Sequence, residues 1–309
     1  MTGSFVHPAL LYRGDDEYLA ETVPFVREGL WVGEPVAVAV PAPKLDLLRE
    51  SLGRDADDVH MVDMSVAGRN PGRIIPAVLR GFADAHPEAR HVRIIGEPIW
   101  DGRTAHEYPA CVQHEALINL AFAGRPVTIL CPYDASVLQP NVLADAAVTH
   151  PTLIERTKRT VSPDFDAGAA LRASNVPLPE PGPDAWHHVT LDYDLDGLGQ
   201  TREAAVKAAA LAGFDDARTG DLEIAVNELA ANSVRHGGGR GTMRVWVDET
   251  ALVCQVSDAG HLTDPLAGRE PVGLSHNGGR GLLMVNYVAD LLRVHTTPEG
   301  TSFQAYFAR

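Results

Sequence analysis

The chain has 309 residues, 45% of them hydrophobic and 22% charged, with a formal net charge of -15. That leaves room for two ordinary domains and excludes a disordered chain. So acidic a chain lacks the clustered Lys and Arg that neutralise phosphates, which argues against direct nucleic-acid binding, and an anionic membrane surface would repel it.

Residues 1–12 carry no basic stretch ahead of an apolar core, so no signal peptide is expected. No run reaches the roughly 18 apolar residues of a membrane span. A cytoplasmic protein is expected. Helical patterns fall at 15–30, 43–52, 71–85 and 107–123. Between them lie PVAVAV (35–40), VRII (92–95) and PVTILC (126–131). These are short, β-rich and almost wholly apolar, as strands buried on both faces are. The alternation implies a mostly parallel sheet covered by helices, with ligands bound beyond the carboxyl ends of its strands.

The stretch 162–186 carries five prolines, Pro163, Pro177, Pro179, Pro181 and Pro183. Residues 177–184 can be neither helix nor central strand. A semi-rigid linker over 166–185 is expected, separating domains at 5–165 and 186–309. Beyond it the pattern reads strand (189–193), helices (201–212 and 220–235), a hairpin (242–247 and 251–256), a helix (281–289) and two strands (291–296 and 302–307). That is an α/β sandwich with one helical layer. Cys111, Cys131 and Cys254 lie far apart with no CxxC spacing, as buried reduced thiols do.

Four features of the second half carry chemistry. The run 227–237 reads NELAANSVRHG. Glu228, Asn232 and His236 are four apart, so a helix presents them on one face. Asparagine is a poor mid-helix residue, and an uncharged oxygen ligand for Mg²⁺ is one reason to keep it there. Asp258 and Gly260 end a strand: the Asp can accept from an exocyclic amine, and the Gly admits a flat ring to the backbone. Gly278, Gly279, Arg280, Gly281 and Leu282 form a glycine-rich turn running into an apolar helix, a ready anion site. Gly300 and Thr301 open the last strand. No GxxxxGK[ST] phosphate loop occurs.

In this order, within about eighty residues, these features resemble the N, G1, G2 and G3 boxes of the GHKL ATPases. The resemblance covers 186–309. NELAANSVRHG and GGRGLLMV look like the anti-sigma-factor serine kinase branch. The resemblance implies a GHKL (Bergerat) α/β sandwich that binds ATP and Mg²⁺. Glu228 matches the catalytic base, Asn232 the Mg²⁺ ligand, Asp258 the adenine-binding acid and Gly260 its partner glycine. Residues 279–281 match the phosphate lid, with Arg280 at the γ-phosphate. Arg235, His236, Leu282 and Thr301 fall in the same boxes.

In the first half, HPALLY (7–12), DDEYL (15–19), GEPIW (96–100), HEALIN (114–119) and LCPYD (130–134) resemble, in this order, the MEDS sensory domain. That family is named for methanogen and methylotroph sensory proteins. The resemblance implies a RecA-like parallel α/β sandwich without a working phosphate loop, sensing a small molecule. Tyr12, Glu97, Trp100, His114 and Tyr133 are the candidate ligand residues, Glu97 as the end of its strand and the aromatics as walls. Autophosphorylation at His114, which precedes an acidic residue, would need a helical hairpin ahead of the ATPase, and the proline-rich stretch stands there instead.

The expected function is a cytoplasmic regulator. It would transfer the γ-phosphate of Mg-ATP to Ser/Thr of an anti-anti-sigma-type partner, tuned by a ligand of the first domain. The alternatives are a non-catalytic module whose nucleotide orders a surface for a sigma-factor-like protein, and a divergent sensor histidine kinase. A homodimer is plausible for this branch.

Overall fold

Apolar β-branched runs separated by amphipathic ones build the first half into alternating strands and helices. The computed structural model describes residues 4–271 and 279–309. The chain falls into two units, Met1–Ser174 and Asn175–Arg309. The first runs β1 (Pro8–Tyr12), α1 (Gly14–Trp31), β2 (Val36–Val40), α2 (Ala42–Leu52), β3 (His60–Asp63), α3 (Met64–Ala67), α4 (Pro71–Arg73), α5 (Arg80–Asp84), β4 (Val92–Gly96), α6 (Tyr108–Ala121), β5 (Val127–Asp134), α7 (Pro140–Thr149), β6 (Thr152–Glu155), β7 (Lys158–Val161) and α8 (Ala167–Ser174). Its strands form one sheet in the order β3-β2-β4-β5-β1-β6-β7. Every neighbouring pair is parallel except β6 with β7.

Both faces of this sheet are covered. Leu10, Val38, Ile95 and Leu130 share a core with Tyr18 of α1 and Leu45 and Leu48 of α2. The intervening Ala9, Ala37, Ile94, Ile129 and Cys131 are equally buried. A fully apolar strand such as VAVAV is the signature of that arrangement. One expected helix, 71–85, is interrupted. Pro76 has no N–H to donate, and Ile74–Leu79 winds as a π-helix.

The second unit contains β8 (Trp186–Asp194), α9 (Leu198–Ala212), α10 (Asp216–His236), β9 (Arg240–Val247), β10 (Ala251–Asp258), α11 (Gly281–Val288), β11 (Leu291–Thr297) and β12 (Gly300–Ala308). Its sheet has the order β11-β12-β10-β9-β8 and is antiparallel throughout. One helical layer packs on one face: Ala205 and Ala209 of α9, Leu222, Val226 and Leu229 of α10 and Val285 of α11 meet Val245, Cys254 and Phe307.

The opposite face is closed by the proline-rich stretch, so 166–185 differs from a free linker at both ends. Its first part is α8, whose Ala170 and Leu171 pack with Val112 and Ala116 of α6. Its second part crosses the second unit's sheet. The buried Gln304 donates to the Pro179 carbonyl at 2.8 Å, Arg244 pairs with Glu180 at 2.7 Å, and Ala185 packs on Trp246 and Val253. Proline-rich chain is suited to this, because an extended strap with few N–H groups covers a sheet without demanding a partner for each.

Candidate functional site

Helix α10 is positioned by its two stripes. Leu222, Ala225, Val226, Leu229, Ala230 and Ser233 face the core, at helical spacing. Asp215 caps the start, accepting from the Arg218 N–H at 2.8 Å. The other face turns Glu228 and Asn232, both half-buried, and the exposed Arg235 and His236 towards a cleft of about 1220 Å³. Asp258, Gly260, Gly279, Arg280, Gly281, Leu282 and Thr301 line the same cleft. The structure thus brings together every site residue expected in this half except Gly278, which lies outside the described residues.

Asp258 ends β10 with its carboxylate fixed. Oδ2 accepts from Ser233 Oγ at 2.7 Å, and Oδ1 accepts from the Gly260 N–H at 2.8 Å. Thr301 Oγ1 donates to the Gly260 carbonyl at 2.8 Å. Two glycines are required by contact. A Cβ on Gly237 would meet Asp258 Cγ at 2.3 Å, and one on Gly260 would meet the His236 carbonyl oxygen at 2.6 Å. At the far end of the cleft, a Cβ on Gly281 would lie 2.6 Å from Glu228 Oε2 and 3.4 Å from Asn232 Nδ2. The first turn of α11 therefore presses on the acid and the amide of α10. Gly279 adopts φ of 80°, open to glycine.

Such a cleft, with a carboxylate at one end and a glycine-led helix N-terminus at the other, suits a purine joined to a polyanion. Residues 191–307 match the family model of the histidine kinase-like ATPase domain. Residues 6–151 match that of MEDS, the methanogen/methylotroph, DcmR sensory domain. The chain is a MEDS domain joined to a histidine kinase-like ATPase domain. No curated protein matches it. The pairing is that of a signalling regulator with an ATP-using module. No helix among the described residues is long and apolar enough to cross a membrane.

The MEDS domain separates the five residues expected at its ligand site. Tyr12 ends β1 and Glu97 follows β4, both at the carboxyl edge of the sheet and both buried. Tyr12 lies against Tyr18, ring centroids 5.0 Å apart, and Lys44 Nζ stands 5.1 Å and 4.8 Å from the two rings. Among the described residues, the hydroxyls of Tyr12 and Tyr18 and Glu97 Oε2 make no hydrogen bond. Burial pushes the Glu97 carboxyl up to about 8, against the pull of Lys44 and with help from Asp134.

Trp100 carries the Arg103 guanidinium 3.9 Å from its ring. His114 is buried in α6. Tyr133 donates to Glu115 Oε1 at 3.0 Å, among a different set of residues. A cavity of about 610 Å³ opens near the amino ends of β2 and β3, lined by Val36, His60 and Phe82, and holds none of the five. Tyr18 stood within the quoted run DDEYL, whereas Lys44 carried no signal of its own, since a Lys in an amphipathic helix is ordinary. Ser233 and Gly237 stood within the quoted run 227–237, and only the fold shows that both serve Asp258.

Proposed function

We propose that the ATPase domain binds Mg-ATP and transfers its γ-phosphate to Ser or Thr of an anti-anti-sigma-type protein, under control of the MEDS domain. The observation that carries this reading is the contact of Gly281 with Glu228. The helix N-terminus suited to terminal phosphates stands directly over a carboxylate, which is where a base must lie to take a hydroxyl proton as the phosphoryl moves. Asn232, one turn on, offers an oxygen to Mg²⁺, which neutralises charge on the phosphates. Asp258 accepts from the adenine amine, and Gly260 offers bare backbone in the cleft lining to the ring. The three unpartnered polar atoms of Tyr12, Tyr18 and Glu97 support a small polar or amphipathic ligand at the carboxyl edge of the MEDS sheet.

Glu228→Ala is expected to abolish transfer and to leave ATP affinity within about threefold, because a base acts in the transition state alone. The measurement is γ-labelled ATP with Mg²⁺ in an extract of the source cells, wild type against variant, with equilibrium binding alongside. Acid-stable label on a small protein, present with the wild type alone, establishes the kinase. Bound ATP without any label would leave an ATP-gated binding module in its place.

A further inference from the structure

Away from the Tyr12–Glu97 corner, the MEDS domain encloses a second constellation. His7 stands just before β1, Glu115 on α6, Cys131 in β5 and His150 between α7 and β6, and all four are buried. The Nε2 atoms of His7 and His150 lie 3.3 Å and 3.4 Å from Glu115 Oε2. Cys131 Sγ lies 3.4 Å from His7 Nε2 and 3.6 Å from Glu115 Oε2. One ligand atom from each residue falls within 4.8 Å of all the others.

With both imidazoles neutral, as metal ligands must be, there are too few hydrogens for these contacts. Asn119 Nδ2 donates to the carbonyls of Glu115, Ala116 and Thr149 at 3.2, 3.3 and 2.9 Å. That turns its Oδ1 to His7 Nδ1 at 3.2 Å. An amide oxygen only accepts, so Nδ1 carries a proton and, in the neutral ring, Nε2 holds the lone pair. His150 Nδ1 faces the Ala146 carbonyl at 2.9 Å and is fixed as a donor in the same way. Its Nε2 makes no hydrogen bond among the described residues, close as the carboxylate is. Tyr133 serves the other carboxylate oxygen. Two imidazole lone pairs and Glu115 Oε2 therefore converge on one thiol, which has one proton to give. A cation among the four satisfies them all.

The spacing is that of ligands around one ion. With Zn–N and Zn–O near 2.0–2.1 Å and Zn–S near 2.3 Å, two ligands of a tetrahedral zinc stand roughly 3.3–3.6 Å apart. Four of the six separations, 3.3, 3.4, 3.4 and 3.6 Å, fall there, and the two from His150 to His7 and Cys131 lie within 4.8 Å. Imidazole and thiolate donors suit a borderline-soft ion and not Mg²⁺ or Ca²⁺. The outer hydrogen bonds from both Nδ1–H groups are those that orient metal-bound histidines.

We propose that His7, Glu115, Cys131 and His150 form a buried four-coordinate site for a first-row transition-metal ion, zinc(II) by donor set and geometry. On binding, the Cys131 thiol releases its proton to solvent and ligates as thiolate. All four positions are filled by protein, so the ion clamps β1, β5, β6 and α6 together and activates no water.

The test uses the full chain, purified without chelator and also stripped and reloaded with zinc or cobalt(II). About one equivalent of metal per chain is expected by elemental analysis. The cobalt form is expected to show a thiolate-to-metal charge-transfer band and the strong visible bands of four-coordinate cobalt. This readout needs no variant, so it survives if variants misfold. Cys131→Ser and His150→Ala are expected to lose the stoichiometric metal, and Asn119→Ala to weaken zinc binding roughly 10–100-fold. Folded wild type that takes up no metal on reloading overturns the proposal. So does metal retained at full stoichiometry, without a thiolate band, in folded Cys131→Ser and wild type alike.

Discussion

Asp258 is oriented from two sides, by the Ser233 hydroxyl and by the Gly260 N–H, and it is held down by a glycine with no space for a methyl. Gly237 sits at φ -98 and ψ 17, which alanine tolerates. Gly237→Ala should therefore act by displacing Asp258 and not by strain, weakening nucleotide binding by about tenfold or more. A fluorescent-nucleotide titration measures it, and unchanged affinity would remove Asp258 from the adenine role. Glu97 carries a different prediction. An acid whose pKa is about 8 in the fold binds a proton there that the unfolded chain releases in the ordinary carboxylate range. Its contribution to stability is thus full below that range and is lost as pH rises to about 8. Lys44 and Asp134 are the charged neighbours, opposing and reinforcing the shift. Glu97→Gln should flatten this slope and exceed wild type at pH 8 by on the order of 3 kcal/mol, read by urea unfolding across pH. A parallel pair of pH profiles would show that Lys44 neutralises the carboxylate fully.

The strap from Asn175 to Ala185 shows what an extended segment does when it is not free. Asn175 donates to the Thr296 carbonyl at 2.8 Å and accepts from its N–H at 3.0 Å, occupying both groups of an edge strand as a neighbouring strand would. Asn175→Ala should lower the stability of the ATPase domain by about 1–2 kcal/mol, seen as a lower melting temperature. A fragment beginning at 175 should melt well above one beginning at 186, which would bare Trp246 and Val253 and remove one of the two acceptors of the Gln304 amide. Equal melting would mean that the strap lies loose in solution. The strap's conformation was legible, because four prolines allow little else, but its docking was not: Pro179 offers a carbonyl to a glutamine 125 positions later. The same limit governs the rest. VAVAV, VRII and PVTILC announce strands by composition, whereas HMVD of β3 and KRTV of β7, four residues each, are too short and too mixed to show a period. The residues that line the ATPase-domain cleft were legible as a group because they cluster in ordered runs. Of the four residues of the Glu115 cluster, His7, Glu115 and Cys131 stand in the runs HPALLY, HEALIN and LCPYD and His150 in none, and no local spacing joins them.

Each half of the chain owns a core, one around Val38, Ile95 and Leu130 and the other around Leu229, Val245 and Cys254. Thermal unfolding should then show two transitions. Mg-ATP at a hundred times its Kd should stabilise one of them by about 2.7 kcal/mol and leave the other where it was. Calorimetry with and without nucleotide decides; one transition moving as a whole would show that the halves unfold together. The strap has a consequence for how such proteins are assembled from parts. A recombination joint placed at the start of β8, where the ATPase fold begins, would leave the donor's sheet unroofed. The piece that can be inherited intact is longer than the fold, and any sensor grafted onto this ATPase must be joined upstream of Asn175.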